Sequence, residues 1–135
     1  MSVVSSVRKV LQWLVAEIKR VEDGADDLRK NNFEAFGRRM FASHNGLQYM
    51  YEVSCAELDC LVDLVREDEH VLGARMMGGG FGGCTINLVR AEHVNSLIKR
   101  VSKAYFEQIG LELKAYVSEI ASGTSVEMDC NDLPA

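Results

Sequence analysis

From Val3 onward, apolar side chains recur at helical spacing: Val3, Val7, Val10, Leu11, Leu14, Val15, Ile18 and Val21. They predict the apolar stripe of an amphipathic helix running to about residue 23. The opposite side carries Arg8, Lys9, Glu17, Lys19 and Arg20, read here as solvated surface. Gly24 falls near the expected end, and "DDLRKNN" reads as a further turn running into a loop. A second helix fits residues 33 to about 43, with Phe33, Phe36, Met40 and Phe41 on one side. "HNGLQYMYEV" is ambiguous, because Gly46 interrupts it while Leu47, Met50 and Val53 continue a helical face after a bend. Ser54 and Glu57 have the S-x-x-E spacing of a capping box. Leu58, Leu61, Val62 and Val65 then line one face of a third helix.

Past residue 70 the period changes. "VLGARMM" is a short extended run. "CTINLVR" alternates, with Cys84, Ile86 and Leu88 on one face and Thr85, Asn87 and Val89 on the other, which predicts a strand. Helical spacing returns from 91 to about 108 through Val94, Leu97, Ile98, Val101 and Tyr105, and Gly110 marks the stop. "LELKAYVSEI" alternates again and predicts another strand. Three helices, two strands, a helix and a strand in that order indicate an α+β domain rather than a doubly wound sheet. It is expected to span 1–125, followed by a tail at 126–135. No internal repeat or linker interrupts the chain.

Composition narrows the function. The 135 residues suffice for one core, 47% of them being apolar, and a single proline argues against disorder. A net charge of −5 does not supply the basic field that nucleic acid requires. No 18-residue apolar run is present to span a membrane, and charges interrupt the apolar residues of the amino terminus, unlike a signal peptide. Cys55, Cys60, Cys84 and Cys130 have no CxxC spacing and no clustered histidines beside them, so no metal site is expected. They read as reduced thiols of a cytoplasmic protein.

The unusual chemistry lies between the two predicted strands. "GARMMGGGFGGC" spans residues 73–84, with five glycines in 78–83 interrupted only by Phe81. Gly78, Gly80 and Gly83 match G-x-G-x-x-G, but that fingerprint needs a helix after it, and here a strand follows. No G-K-[ST] follows either, so a P-loop is excluded. A glycine-rich hairpin remains, and hairpins seldom need more than two glycines. Five suggest that another surface, a ligand or another protein segment, approaches the backbone closely.

The same residues resemble the third signature motif of galactokinases, within the GHMP small-molecule kinase superfamily. "FGRRMFASHNGLQYMYEVSCAELDCLV" resembles the helical stretch that precedes this motif, above all in "YEVSC" followed by "ELD". Met77 stands where many relatives carry Thr, and Gly46 and Gln48 where Ser and Arg are frequent. The resemblance covers roughly 33–122. It implies a GHMP kinase carboxy-terminal domain with a ferredoxin-like sheet packed with helices. It implies an active-site glycine loop formed by Gly78, Gly79, Gly80, Phe81, Gly82 and Gly83, with Arg75 and His44 as candidate cleft contacts. Phe81 is expected to anchor the loop in apolar surroundings.

No catalytic residue is expected in this chain. The family's catalytic Asp, its partner Arg and its phosphate loop belong to an amino-terminal domain whose motifs are not found here. The chain is therefore expected to be a piece of a galactokinase, inactive alone and prone to self-association. The complete enzyme would use ATP and Mg²⁺, held mainly by the absent domain, to phosphorylate the 1-hydroxyl of D-galactose. An N-acetylgalactosamine kinase and a non-catalytic binding module of the same fold are the alternatives. His70 and His93 are expected to face solvent, and Glu67, Asp68 and Glu69 to be a hydrated helix end.

Overall fold

The computed structural model describes residues 3–119 and 121–125. Helix α1 spans Val3–Arg29, α2 Phe33–Gly46 and α3 Ala56–Arg66. Strands β1 (Val71–Met77) and β2 (Cys84–Val89) follow, then α4 (Val94–Ile109). The strands pair antiparallel from Met77 opposite Cys84 to Val71 opposite Val89, with an irregularity between Val71 and Gly73. Among the described residues β1 has β2 along one edge and no strand along the other; α2 also packs against β1. The α+β expectation holds.

One core cluster joins α3, β1 and α4 through Val62, Val65, Ala74, Leu97, Val101 and Tyr105. A smaller one joins Leu47, Leu58 and Met76, with Trp13 and Val53 packed against it. The stripe predicted for α3 is this core side. Gly110 closes α4 in the left-handed conformation, φ +79°, as its position after the last periodic residue predicts.

Several boundaries differ from expectation. α1 does not end near Gly24, which lies buried in mid-helix; a Cβ there would only touch the Phe36 ring at 3.4 Å. Gly46 does not interrupt α2. The helix passes through it into a π-helical turn, Leu47–Tyr51, that stops at Glu52 with φ +60°. Gly46 is small because Trp13 lies over it. A Cβ there would sit 2.5 Å from Trp13 Cδ1, and the same indole stacks on Tyr51 at 4.5 Å.

The larger correction concerns which side of α1 is covered. Apart from half-buried Val10, the predicted apolar stripe faces outward, with exposures from 45% at Leu14 to 79% at Val3. The side carrying Glu17, Arg20, Asp23 and Asp27 faces α2. Arg39 of α2 donates through Nε to Asp27 at 2.5 Å and through Nη1 to Asp23 at 3.2 Å. Ser43 Oγ donates to Glu17 Oε1 at 2.6 Å. Complementary polar groups on α2 therefore draw in a side that helical periodicity assigned to water.

The strand expected over 111–120 is absent among the described residues of that segment, 111–119. Alternation makes a segment compatible with a ladder, but a strand needs a partner edge. Among the described residues the sheet holds β1 and β2 alone, and Leu113 of this segment packs against the core. The described sheet is two-stranded, smaller than the ferredoxin-like sheet expected. The tail proposed for 126–135 lies outside the described residues. Among the described residues no helix is long and apolar enough to cross a membrane.

Candidate functional site

The loop between β1 and β2 has a backbone that L side chains rarely adopt. Gly78, Gly80, Gly82 and Gly83 have φ of +93°, +91°, +141° and +104°. Glycine meets that demand at no steric cost. Gly80 is constrained twice, since a Cβ there would lie 2.2 Å from the Val53 carbonyl oxygen. The next residue completes the contact: Phe81 N–H donates to Val53 O at 2.8 Å. The loop tip is thus docked on the segment between α2 and α3.

Gly79 differs from the other four. Its φ lies outside the left-handed region, and nothing stands within 4 Å of the position a Cβ would take. Neither local geometry nor packing within this domain calls for glycine there.

Phe81 departs from its expected role. It holds φ +60° without being glycine, and the residue is 77% exposed. The loop is anchored through the Phe81 backbone, and Phe81 is among the residues lining a cavity of about 300 Å³. Glu57, Gly82, Gly83 and Tyr105 also line that cavity.

Arg75 and His44, the two candidate cleft contacts, both make contacts within this domain. Arg75 Nε donates to Met76 O at 3.0 Å, and Nη1 lies 3.6 Å from Glu17 Oε1. Glu17 also pairs with Arg20 and accepts from Ser43, so Arg75 ends in an internal ion-pair cluster.

His44 is fully buried. Its Nδ1 accepts the Met76 N–H at 3.2 Å, and its Nε2 stands 3.2 Å from Asp59 Oδ1, off the axis of a well-aligned hydrogen bond. Burial pushes its pKa down, outweighing the opposing pull of Asp59. The polar neighbours of His44 in "SHNG" carry no sign of this burial.

The capping box does not form. α3 starts at Ala56, after Cys55, and Ser54 Oγ donates to Asp59 Oδ1 at 2.5 Å instead. Glu57 bonds its own backbone N–H and takes a further hydrogen bond from Cys55, which hold its carboxyl below the usual range. Glycines 37 and 73, which the sequence reading passed over, bring α2 against β1. An isolated glycine in a helical or strand pattern was their available signal.

The remaining candidates are structural. His70 and His93 do not simply face water; their rings stack at 3.3 Å, nearly parallel. Asp68 accepts the His70 N–H at 2.9 Å and pairs with Arg100 at 2.5 Å, tying the α3–β1 turn to α4. No group of three or more His, Cys, Asp or Glu side chains among the described residues is placed to hold a metal ion.

Known proteins resemble this chain in sequence and fold. Residues 25–108 match the family model described as GHMP kinases C terminal. A galactokinase of Clostridium perfringens is 45% identical over 109 residues, covering 81% of this chain and 28% of that protein. The structure of Lactococcus lactis galactokinase complexed with galactose superposes with a TM-score of 0.82 at 37% identity, over 87% of this chain and 30% of the other. An L. major mevalonate kinase in complex with R-mevalonate superposes at 0.57 and 25% identity, over 74% of this chain and 33% of that one. The chain therefore spans less than a third of the length of the galactokinases it matches.

Proposed function

The chain belongs to the GHMP kinase C-terminal family, and we propose that it is the carboxy-terminal part of a cytoplasmic galactokinase. On this reading the complete protein transfers the γ-phosphoryl of ATP to the 1-hydroxyl of D-galactose. The observation that carries the reading is Gly79. Its neighbours need glycine for backbone conformation or packing, whereas Gly79 leaves an open approach on a loop that runs between two paired strands and docks on Val53.

Phosphoryl transfer is mostly positioning and charge stabilisation. The part assigned to this chain is to present a loop backbone without side chains against the reacting groups. Successive backbone N–H groups in such loops can make an anion-binding concavity. On this reading Mg²⁺, like ATP, is held mainly by the amino-terminal domain. The catalytic acid–base group belongs, on this reading, to the amino-terminal domain, as does most of the ATP contact. That domain would also cover the outward apolar side of α1.

The test joins this chain to the amino-terminal part of a galactokinase relative and assays galactose 1-phosphate formation from ATP, Mg²⁺ and galactose. Turnover by the joined protein and none by the chain alone is expected. Preference for N-acetylgalactosamine would reassign the sugar. A folded joined protein that binds ATP and sugar but transfers nothing would make the domain a binding module.

A further inference from the structure

The glycine loop is held at two places, and one buried side chain connects them. The root is Met76, almost fully buried, two residues before Gly78. The docking point is Val53, which receives the Phe81 N–H and closes on Gly80. Between them runs a chain of polar contacts. Met76 N–H meets His44 Nδ1, His44 Nε2 faces Asp59 Oδ1, and Asp59 accepts Ser54 Oγ–H. Ser54 is the covalent neighbour of Val53.

We propose that His44 is a positioning residue: as the neutral tautomer protonated on Nε2, it fixes through Nδ1 the strand end from which the glycine loop springs. The chemistry follows from the donors. A backbone N–H can only donate, so the Nδ1 that receives it carries no proton. A neutral imidazole must then carry its proton on Nε2, facing the Asp59 carboxylate. Among the described residues β1 pairs with β2 alone, and the Met76 N–H goes to His44, so the ring supplies an acceptor that a strand on the other edge would have offered. The charged groups around the ring are Asp59, Asp63 and Arg66, all of α3. From the α1 side Glu17 reaches no closer than Ser43, next to His44, to which it is bonded. Burial keeps the ring neutral near pH 7, and the neutral ring is the form able to accept.

The bearing of His44 on phosphoryl transfer rests on the function proposed above, but its test does not. The experiment measures amide exchange at Met76 and Phe81 in the chain itself, together with imidazole ¹⁵N shifts. In the wild type the shifts should report the Nε2–H tautomer. His44→Asn keeps an acceptor near the place of Nδ1 and should preserve Met76 and Phe81 protection to within a few-fold. His44→Phe fills the volume without an acceptor and should lose about tenfold protection at both amides, the worth of one hydrogen bond. A residue acting only by packing would give the reverse order, with Phe tolerated and Asn not; that order overturns the proposal. Should His44→Asn fail to fold, the wild-type shifts decide, and an Nδ1–H tautomer overturns it as well. If both amide results hold while the joined enzyme shows no kinase activity, the functional reading fails and the positioning role stands.

Discussion

Gly37 of α2 and Gly73 of β1 meet backbone to backbone. A Cβ on Gly37 would lie 1.9 Å from the Leu72 carbonyl oxygen, and one on Gly73 would lie 2.4 Å from the Gly37 oxygen. No side-chain rotation relieves either clash, because the atoms struck are main chain. Gly37→Ala and Gly73→Ala should each cost about 3 kcal/mol or more, the upper range for overpacking. Urea denaturation measures the cost, and a loss under about 1 kcal/mol would show that α2 can slide along β1.

Gly79 and Gly80 should separate stability from function. Gly80→Ala combines a φ of +91° with contact to Val53 O, so it should destabilise the isolated chain by about 1–3 kcal/mol. Gly79→Ala meets open space at an ordinary φ and should leave stability unchanged or improve it by about 0.4–1 kcal/mol. On the proposed function, Gly79→Val in the joined enzyme should nonetheless lose most turnover. The pair of measurements is a denaturation curve and a rate on the same preparation, and a stable Gly79→Val enzyme with normal turnover would remove the argument for close approach.

Asp68 should make the fold sensitive to acid. The His70 N–H, and then Arg100, hold its carboxyl below the ordinary range. A depressed carboxyl contributes stability that is present above its unfolded pKa of about 3.9 and is lost as pH falls through the lower, folded value. Asp68→Asn should therefore cost about 1–3 kcal/mol at pH 7 and progressively less below pH 4. Urea midpoints of the two proteins, followed from pH 7 to pH 2, should converge, and a constant gap would assign the loss to packing.

The outward side of α1 should make the isolated chain associate. Leu11, Leu14, Ile18 and Val21 are all exposed along one helix, a larger apolar run than a monomer usually leaves bare. Sedimentation should show concentration-dependent association that Leu14→Lys with Ile18→Lys abolishes. The same double change should shift stability by no more than about 0.5 kcal/mol, because neither side chain is in the core. An unchanged monomer at all concentrations would mean that the apolar side is tolerated in water.

Some of this architecture was legible in the residues themselves. The α3 stripe, the two strands, the stop at Gly110 and the glycine loop are all local patterns whose meaning depends on nearest neighbours along the chain. The resemblance carried by "YEVSCAELD" and "GARMMGGGFGGC" indicated the family that residues 25–108 match.

Other features required the fold. Periodicity found the apolar side of α1 but could not say which side α2 would cover, since that depends on Arg39 and Ser43 arriving opposite Asp23, Asp27 and Glu17. Alternation made 111–119 strand-like, yet strand formation is decided by whether an unpaired edge stands beside it. Ser54 and Glu57 had capping-box spacing, but Asp59 competed for the same hydroxyl. The five glycines looked alike in sequence and separated only in three dimensions, where Gly80 met Val53 and Gly79 met open space. Sequence by itself determined the local elements and the loop, because turns and periodic faces are short-range. The tertiary structure alone decided burial, pairing and the role of His44, because those depend on groups far apart in the chain.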